Sequence, residues 1–115
     1  MLYRFRSKAG ADVIMTGPHG DRVLRAAGRE PAPQGIFTLE QLAPAMAAID
    51  AAIAQAEAQR AAAREAAAQA VARGEADAGQ PPEDADTLGL RQRAWPLREL
   101  MRHALAAEAD VRWGA

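Results

Sequence analysis

The sequence predicts an α+β fold: two or three short antiparallel strands with three helices on one face, the second helix long and alanine-rich. Three observations predict it. Residues 2–7 and 12–16 have strand character and flank a short turn containing a glycine. Residues 39–73 hold alanine and charge in a helical pattern. Residues 90–108 repeat large apolar side chains at helical spacing, and 110–114 then return to alternation.

The first strand, 2–7, places Tyr3 and Phe5 on one face and Arg4 and Arg6 on the other, the period of a half-buried strand. Lys8, Ala9, Gly10 and Ala11 can turn, with Gly10 free to take positive φ. Val13 and Ile14 give the second strand, 12–16, its β-branched centre. The first helix, about 18–27, starts at Pro18, whose missing N–H costs nothing at that position. Val23, Leu24 and Ala27 form its apolar face, and Gly28 caps its end. Residues 30–35 are an extended connector, because each proline pushes its predecessor out of the helical region.

The long helix opens with Thr38 and Gln41 at capping-box spacing and with Phe37 and Leu42 at hydrophobic-staple spacing. Pro44 sits deep for a helix starting at Leu39, which leaves open whether 39–73 runs on or breaks and restarts there. Leu42, Met46, Ile49 and Ile53 then make an apolar stripe. Beyond Ile53 the large apolar residues stop, apart from Val71, so 54–73 is expected to project beyond the core. Of 57 hydrophobic residues 31 are alanine, and only 26 larger ones supply a core. Such a core is small, because burial energy scales with apolar area. Residues 74–89 read as a flexible acidic connector. In the last helix Leu97, Leu100, Met101, Ala104 and Leu105 form the buried stripe, and Pro96 forces a kink or restart. Val111 and Trp113 share one face of the closing strand, about 110–114.

At 115 residues the chain is expected to be a single domain, 1–115. The net charge of −1 hides an asymmetry: +4 over residues 1–29, −7 over 30–90 and +2 over 91–115. There are no cysteines, which excludes disulfides and thiolate metal sites. The start, MLYRFRSK, lacks the apolar run of a signal peptide, and no apolar run spans a membrane. A cytoplasmic protein is the expectation.

The two ends carry labels. MLYRFRSKAGADVIM and GDRVLRAAGREPAPQGI near the start, LRQRAWPL, and the terminal RWG together resemble short proteobacterial proteins classed as a domain of unknown function. The resemblance covers roughly residues 1–40 and 88–115. It implies a small cytosolic protein and supplies no mechanism.

Three constellations could carry chemistry. His19 sits in a Gly-Pro-His-Gly turn at a helix start, where free N–H groups can hold an anion. The same turn serves strand-to-helix geometry without any ligand, and it matches no phosphate-loop pattern. Glu99 and His103 lie four apart on one helix face, but a metal needs a third ligand that this helix does not offer. The richest cluster is Arg91, Arg93, Trp95 and Arg98, with Arg102 on the same helix and Arg4 and Arg6 as candidate neighbours. Arginine forks bind phosphates or carboxylates, and tryptophan stacks on a base or anchors a peptide. The plainer alternative puts Trp95 in the core beside Trp113, with the arginines reaching water or pairing with Glu99.

No catalytic, metal or cofactor pattern stands out, so the expected class is a non-enzymatic accessory or protein-interaction module. Its partner would be another protein or a second copy of itself, with 54–73 as a docking arm. The alternative is a small anion- or nucleic-acid-binding module built on Arg91, Arg93, Trp95 and Arg98, with the His19 turn as a separate candidate. A sequence pI near 6.1 weighs against nucleic acid, whose binding rests mainly on phosphate neutralisation.

Overall fold

A computed structural model describes residues 2–74 and 85–114. The elements run β1 (Leu2–Ser7), β2 (Gly10–Thr16), α1 (Gly17–Ala26), β3 (Gly35–Phe37), α2 (Leu39–Ala72), α3 (Ala85–Ala106) and β4 (Val111–Trp113). The strands form one antiparallel sheet in the order β2-β1-β4-β3. It has four strands, one more than the two or three expected. The added one is β3, which lies at the end of the proline-rich connector and pairs with the closing strand.

The alternation of β1 sorts the sheet into two faces. Tyr3 and Phe5 point inward with Met15, Phe37, Val111 and Trp113, and all six are buried. Leu2, Arg4, Arg6, Ile14 and Arg112 point outward and are exposed. Trp113 is the hinge of the inner face. It lies opposite both Phe5 and Gly35 in register, and its indole N–H donates to the Ala32 carbonyl at 3.0 Å. Gly35 is glycine because that ring needs the space: an added Cβ would stand 2.3 Å from Trp113 Cζ2.

The hairpin turn is tighter than expected. Ser7 pairs with Gly10, so Lys8 and Ala9 make the turn. Gly10 is not among the positive-φ glycines; its bare Cα instead faces Leu100 on α3, where a Cβ would stand 3.1 Å from Cδ1.

In α1, Val23 and Leu24 are buried and Gly28 ends the helix with φ +82°. The Arg29 N–H closes the last turn on the Leu24 carbonyl at 2.8 Å. In α2, Gln41 Oε1 accepts the Thr38 N–H at 3.0 Å. Leu42, Ala45, Ile49, Ile53 and Ala56 are buried, and Met46 is half-buried. Residues 57–59 and 61–66 are exposed, as the loss of large apolar residues implies. Gly74 follows the helix with φ +73°.

Three expectations need correction. α3 continues through Pro96 with no restart, and α2 continues through Pro44, where the sequence leaves a break open. Each proline removes one N–H from the helical ladder, freeing the carbonyls of Glu40 and Gln92. All four residues are exposed, so water can satisfy what the helix loses. Next, α3 begins at Ala85, five residues before the expected start, so part of the predicted 74–89 connector is helical. Its remainder, 75–84, lies outside the described residues. Lastly, Leu105 is exposed, and the buried stripe of α3 is Leu90, Ala94, Leu97, Leu100, Met101 and Ala104.

Candidate functional site

The antiparallel contact of α2 and α3 builds the best-defined surface feature. Arg98 on α3 grips Asp50 on α2. Two turns earlier on α3, Arg91 grips Glu57, two turns later on α2, with Nη2 to Oε1 at 2.8 Å and Nε to Oε2 at 3.2 Å. Glu99 accepts from both Arg98, at 3.2 Å, and Arg102, at 3.0 Å. These carboxyls are held below their ordinary values. For Asp50 the chief cause is the hydrogen bond from Arg98, opposed by burial. For Glu57 it is the bond from Arg91, and for Glu99 the bond from Arg102.

Trp95 lies between the two interhelical arginines. The Arg98 guanidinium carbon is 4.9 Å from its ring centroid and the Arg91 carbon 5.9 Å. Its side chain is 40% exposed, whereas Trp113 is 4% exposed. The plainer placement of Trp95 in the core beside Trp113 therefore fails. Helical phase explains it: Ala94 and Leu97 take the buried stripe, and their neighbour Trp95 is turned toward the rim. Arg4 and Arg6 are not neighbours of this patch, since they project from the sheet face that the helices leave uncovered.

The other two candidate residues meet elsewhere. Arg93 and His19 line a groove of about 490 Å³ between β2, the start of α1 and α3, together with Asp12, Thr16 and Gln92. His19 Nδ1 lies 3.0 Å from Thr16 Oγ1. Arg93 folds back along α3, where a Cβ on Gly89 would stand 3.0 Å from its Nε. The five predicted residues are thus divided, Arg91, Trp95 and Arg98 on one flank of α3 and Arg93 with His19 on the other. His103 contacts Arg102, at 3.1 Å, while Glu99 serves the arginines. Among the described residues no group of three His, Cys, Asp or Glu side chains could hold a metal ion.

Sequence reasoning missed the two α2 carboxylates that organise the patch. A signal existed: Asp50 to Glu57 and Arg91 to Arg98 are both seven-residue steps, which on antiparallel helices align as two matched pairs.

These features define a small α+β protein with a helical layer on one face of a four-stranded antiparallel sheet and an Arg–Trp–Arg patch across the α2–α3 seam. The chain belongs to the family catalogued as a domain of unknown function, DUF1840, which it matches over residues 1–113. The match covers the alanine-rich middle as well as the labelled ends. No curated protein and no solved structure matches it. No described helix is long and apolar enough to cross a membrane.

Proposed function

We propose that this protein is a non-enzymatic interaction module of the cytoplasm, and that its contact surface is the α2–α3 seam around Trp95. The observation that carries this is a large aromatic side chain, 40% exposed, held between two arginines that are themselves fixed to α2. Tryptophan and arginine dominate binding energy at protein interfaces, and a pre-positioned anchor loses little entropy on contact. The stretch of α2 that follows Glu57 is exposed and offers further contact area.

The alternative, a phosphate or nucleic-acid site on the same residues, has less support. Arg91 and Arg98 already spend their forks on Glu57 and Asp50. A phosphate would have to displace two carboxylates before it gained either arginine.

The test replaces Trp95 with the photo-cross-linker benzoylphenylalanine in cells that make the protein natively. A discrete covalent adduct from position 95, absent when the cross-linker stands at exposed Glu40, is the expected result. Equal yields from both positions, or no adduct, would overturn the proposal.

A further inference from the structure

The helices leave the opposite face of the sheet uncovered, and exposed apolar side chains stand on it. Leu2 and Ile14 are the two most exposed large apolar side chains among the described residues, at 67% and 56%. Leu2 pairs with Thr16 and Arg4 with Ile14, so Leu2 and Ile14 are diagonal neighbours beside Arg4. A depression of about 240 Å³ lies among Leu2, Arg4, Arg6, Ile14 and Gly114.

The charges on this face are mixed: Arg6 and Arg112 line a neighbouring groove with Asp12, Glu108 and Asp110. Arg6 and Arg112 stand directly opposite each other on β1 and β4. Like charges at such cross-strand positions repel. Arg4 is offset by Asp12 at 3.9 Å and Arg112 by Asp110 at 3.2 Å. Arg6 has no hydrogen bond or ion pair with any described residue. Arg6 is thus the cation on this face that an acidic counterpart could pair with, beside the exposed aliphatic side chains of Leu2 and Ile14.

We propose that this face docks a protein segment that carries an aliphatic residue next to acidic ones. The aliphatic side chain would cover Leu2 and Ile14, and the leading carboxylate would reach Arg6, with Arg4, only 3.9 Å from Asp12, as the second contact. Arg4 and Arg6 are two residues apart on one strand, about 6.8 Å, which suits carboxylates at alternate positions of an extended segment. Two other occupants fit less well. A second copy stacked on the same face by a two-fold axis would set arginine against arginine. A single-stranded nucleic acid would need aromatic rings to stack on, and Tyr3, Phe5, Phe37 and Trp113 are all buried on the inner face.

The proposal stands apart from the Trp95 surface, and the test keeps them distinct. The probe is a labelled twelve-residue peptide with one leucine followed by glutamates at alternate positions, titrated into the full isotope-labelled chain and followed by amide NMR. The expected result is shifts confined to Leu2–Arg6, Ile14 and Arg112. Arg6→Glu should weaken binding at least tenfold and Ile14→Ser at least threefold, while Gln55→Ala, exposed on α2, leaves the affinity unchanged. The idea is overturned by no shifts at this face, by Arg6→Glu binding as well as the parent, or by a (dT)12 oligonucleotide or a leucine-free glutamate peptide binding equally well.

Discussion

Arg98 on α3 holds Asp50 on α2 through two hydrogen bonds, Nε to Oδ1 at 2.7 Å and Nη2 to Oδ2 at 3.0 Å. This bidentate contact joins residues 48 apart in the chain. The Arg98 side chain is 19% exposed and Asp50 47%, so water screens the pair in part. A double-mutant cycle with Arg98→Ala and Asp50→Ala should give a coupling of about 1 kcal/mol, read by urea unfolding.

This contact, with those of Arg91 to Glu57 and Arg102 to Glu99, sets the acid limb of stability, and Arg98→Ala is expected to remove the Asp50 share of it. Asp50, Glu57 and Glu99 are held below ordinary values of 3.8, 4.5 and 4.5. Their pairs therefore stabilise fully above those values and fade as pH falls through the lower values of the folded state. Unfolding curves between pH 6 and 2 should show this loss. Arg98→Ala should flatten it in part.

An alkaline limb is expected from Tyr3. Burial, then the hydrogen bond its hydroxyl donates to Asp21, push its pKa up to about 12 from 10.0. The folded chain keeps this proton where the unfolded chain releases it. Stability should hold below pH 10 and fall between pH 10 and about 12. Tyr3→Phe should remove that fall, at a cost of about 1 kcal/mol at neutral pH from the lost hydrogen bond.

Gly20 should reverse a familiar rule. Inside a helix, glycine to alanine ordinarily gains about 0.5–1 kcal/mol. A Cβ at Gly20 would stand 2.0 Å from Tyr3 Cδ2, and that ring is packed on Phe5 with centroids 6.0 Å apart. Gly20→Ala should lose at least about 1–3 kcal/mol through overpacking. Thermal melts of the two chains decide it.

The two tryptophans should separate sharply. Trp113→Ala removes a ring that contacts Phe5 and Phe37 and should cost about 3–5 kcal/mol. Trp95→Ala should cost about 1 kcal/mol or less, since its ring is partly in water. Denaturant midpoints of the two variants test the contrast.

Glu108 holds φ +54° just after α3, a left-handed position that glycine takes without strain. Glu108→Gly should leave the fold intact and raise stability by up to about 1 kcal/mol. A higher melting temperature is the readout.

The long elements were legible because they obey one period throughout. The apolar stripe of α2 and the alternation of β1 needed no tertiary knowledge. What escaped depended on partners far away in sequence. Gly35, Ile36 and Phe37 are too few to show a period, and they become a strand only because β4 offers a free edge. Pro44 left helix continuity open and Pro96 suggested a kink or restart, since sequence does not say whether a freed carbonyl meets water. Arg91 and Arg98 were legible as a pair with Trp95, but their carboxylate partners lie on another helix. Trp95 itself was decidable: the run Leu90, Ala94, Leu97, Met101, Ala104, at steps of 4, 3, 4 and 3, leaves it off the buried stripe.

The position of β4 between β1 and β3 orders assembly in time. During synthesis the β1–β2 hairpin, α1 and α2 can all form early from local contacts. β3 is then made but has no neighbour, because the strand that joins it to the hairpin is the last element of the described chain. Until Val111–Trp113 emerge, Phe5 and Phe37 each lack the ring that bridges them. A chain cut short before residue 111 would therefore carry two open apolar edges, and its half-built sheet would be a target for aggregation or proteolysis.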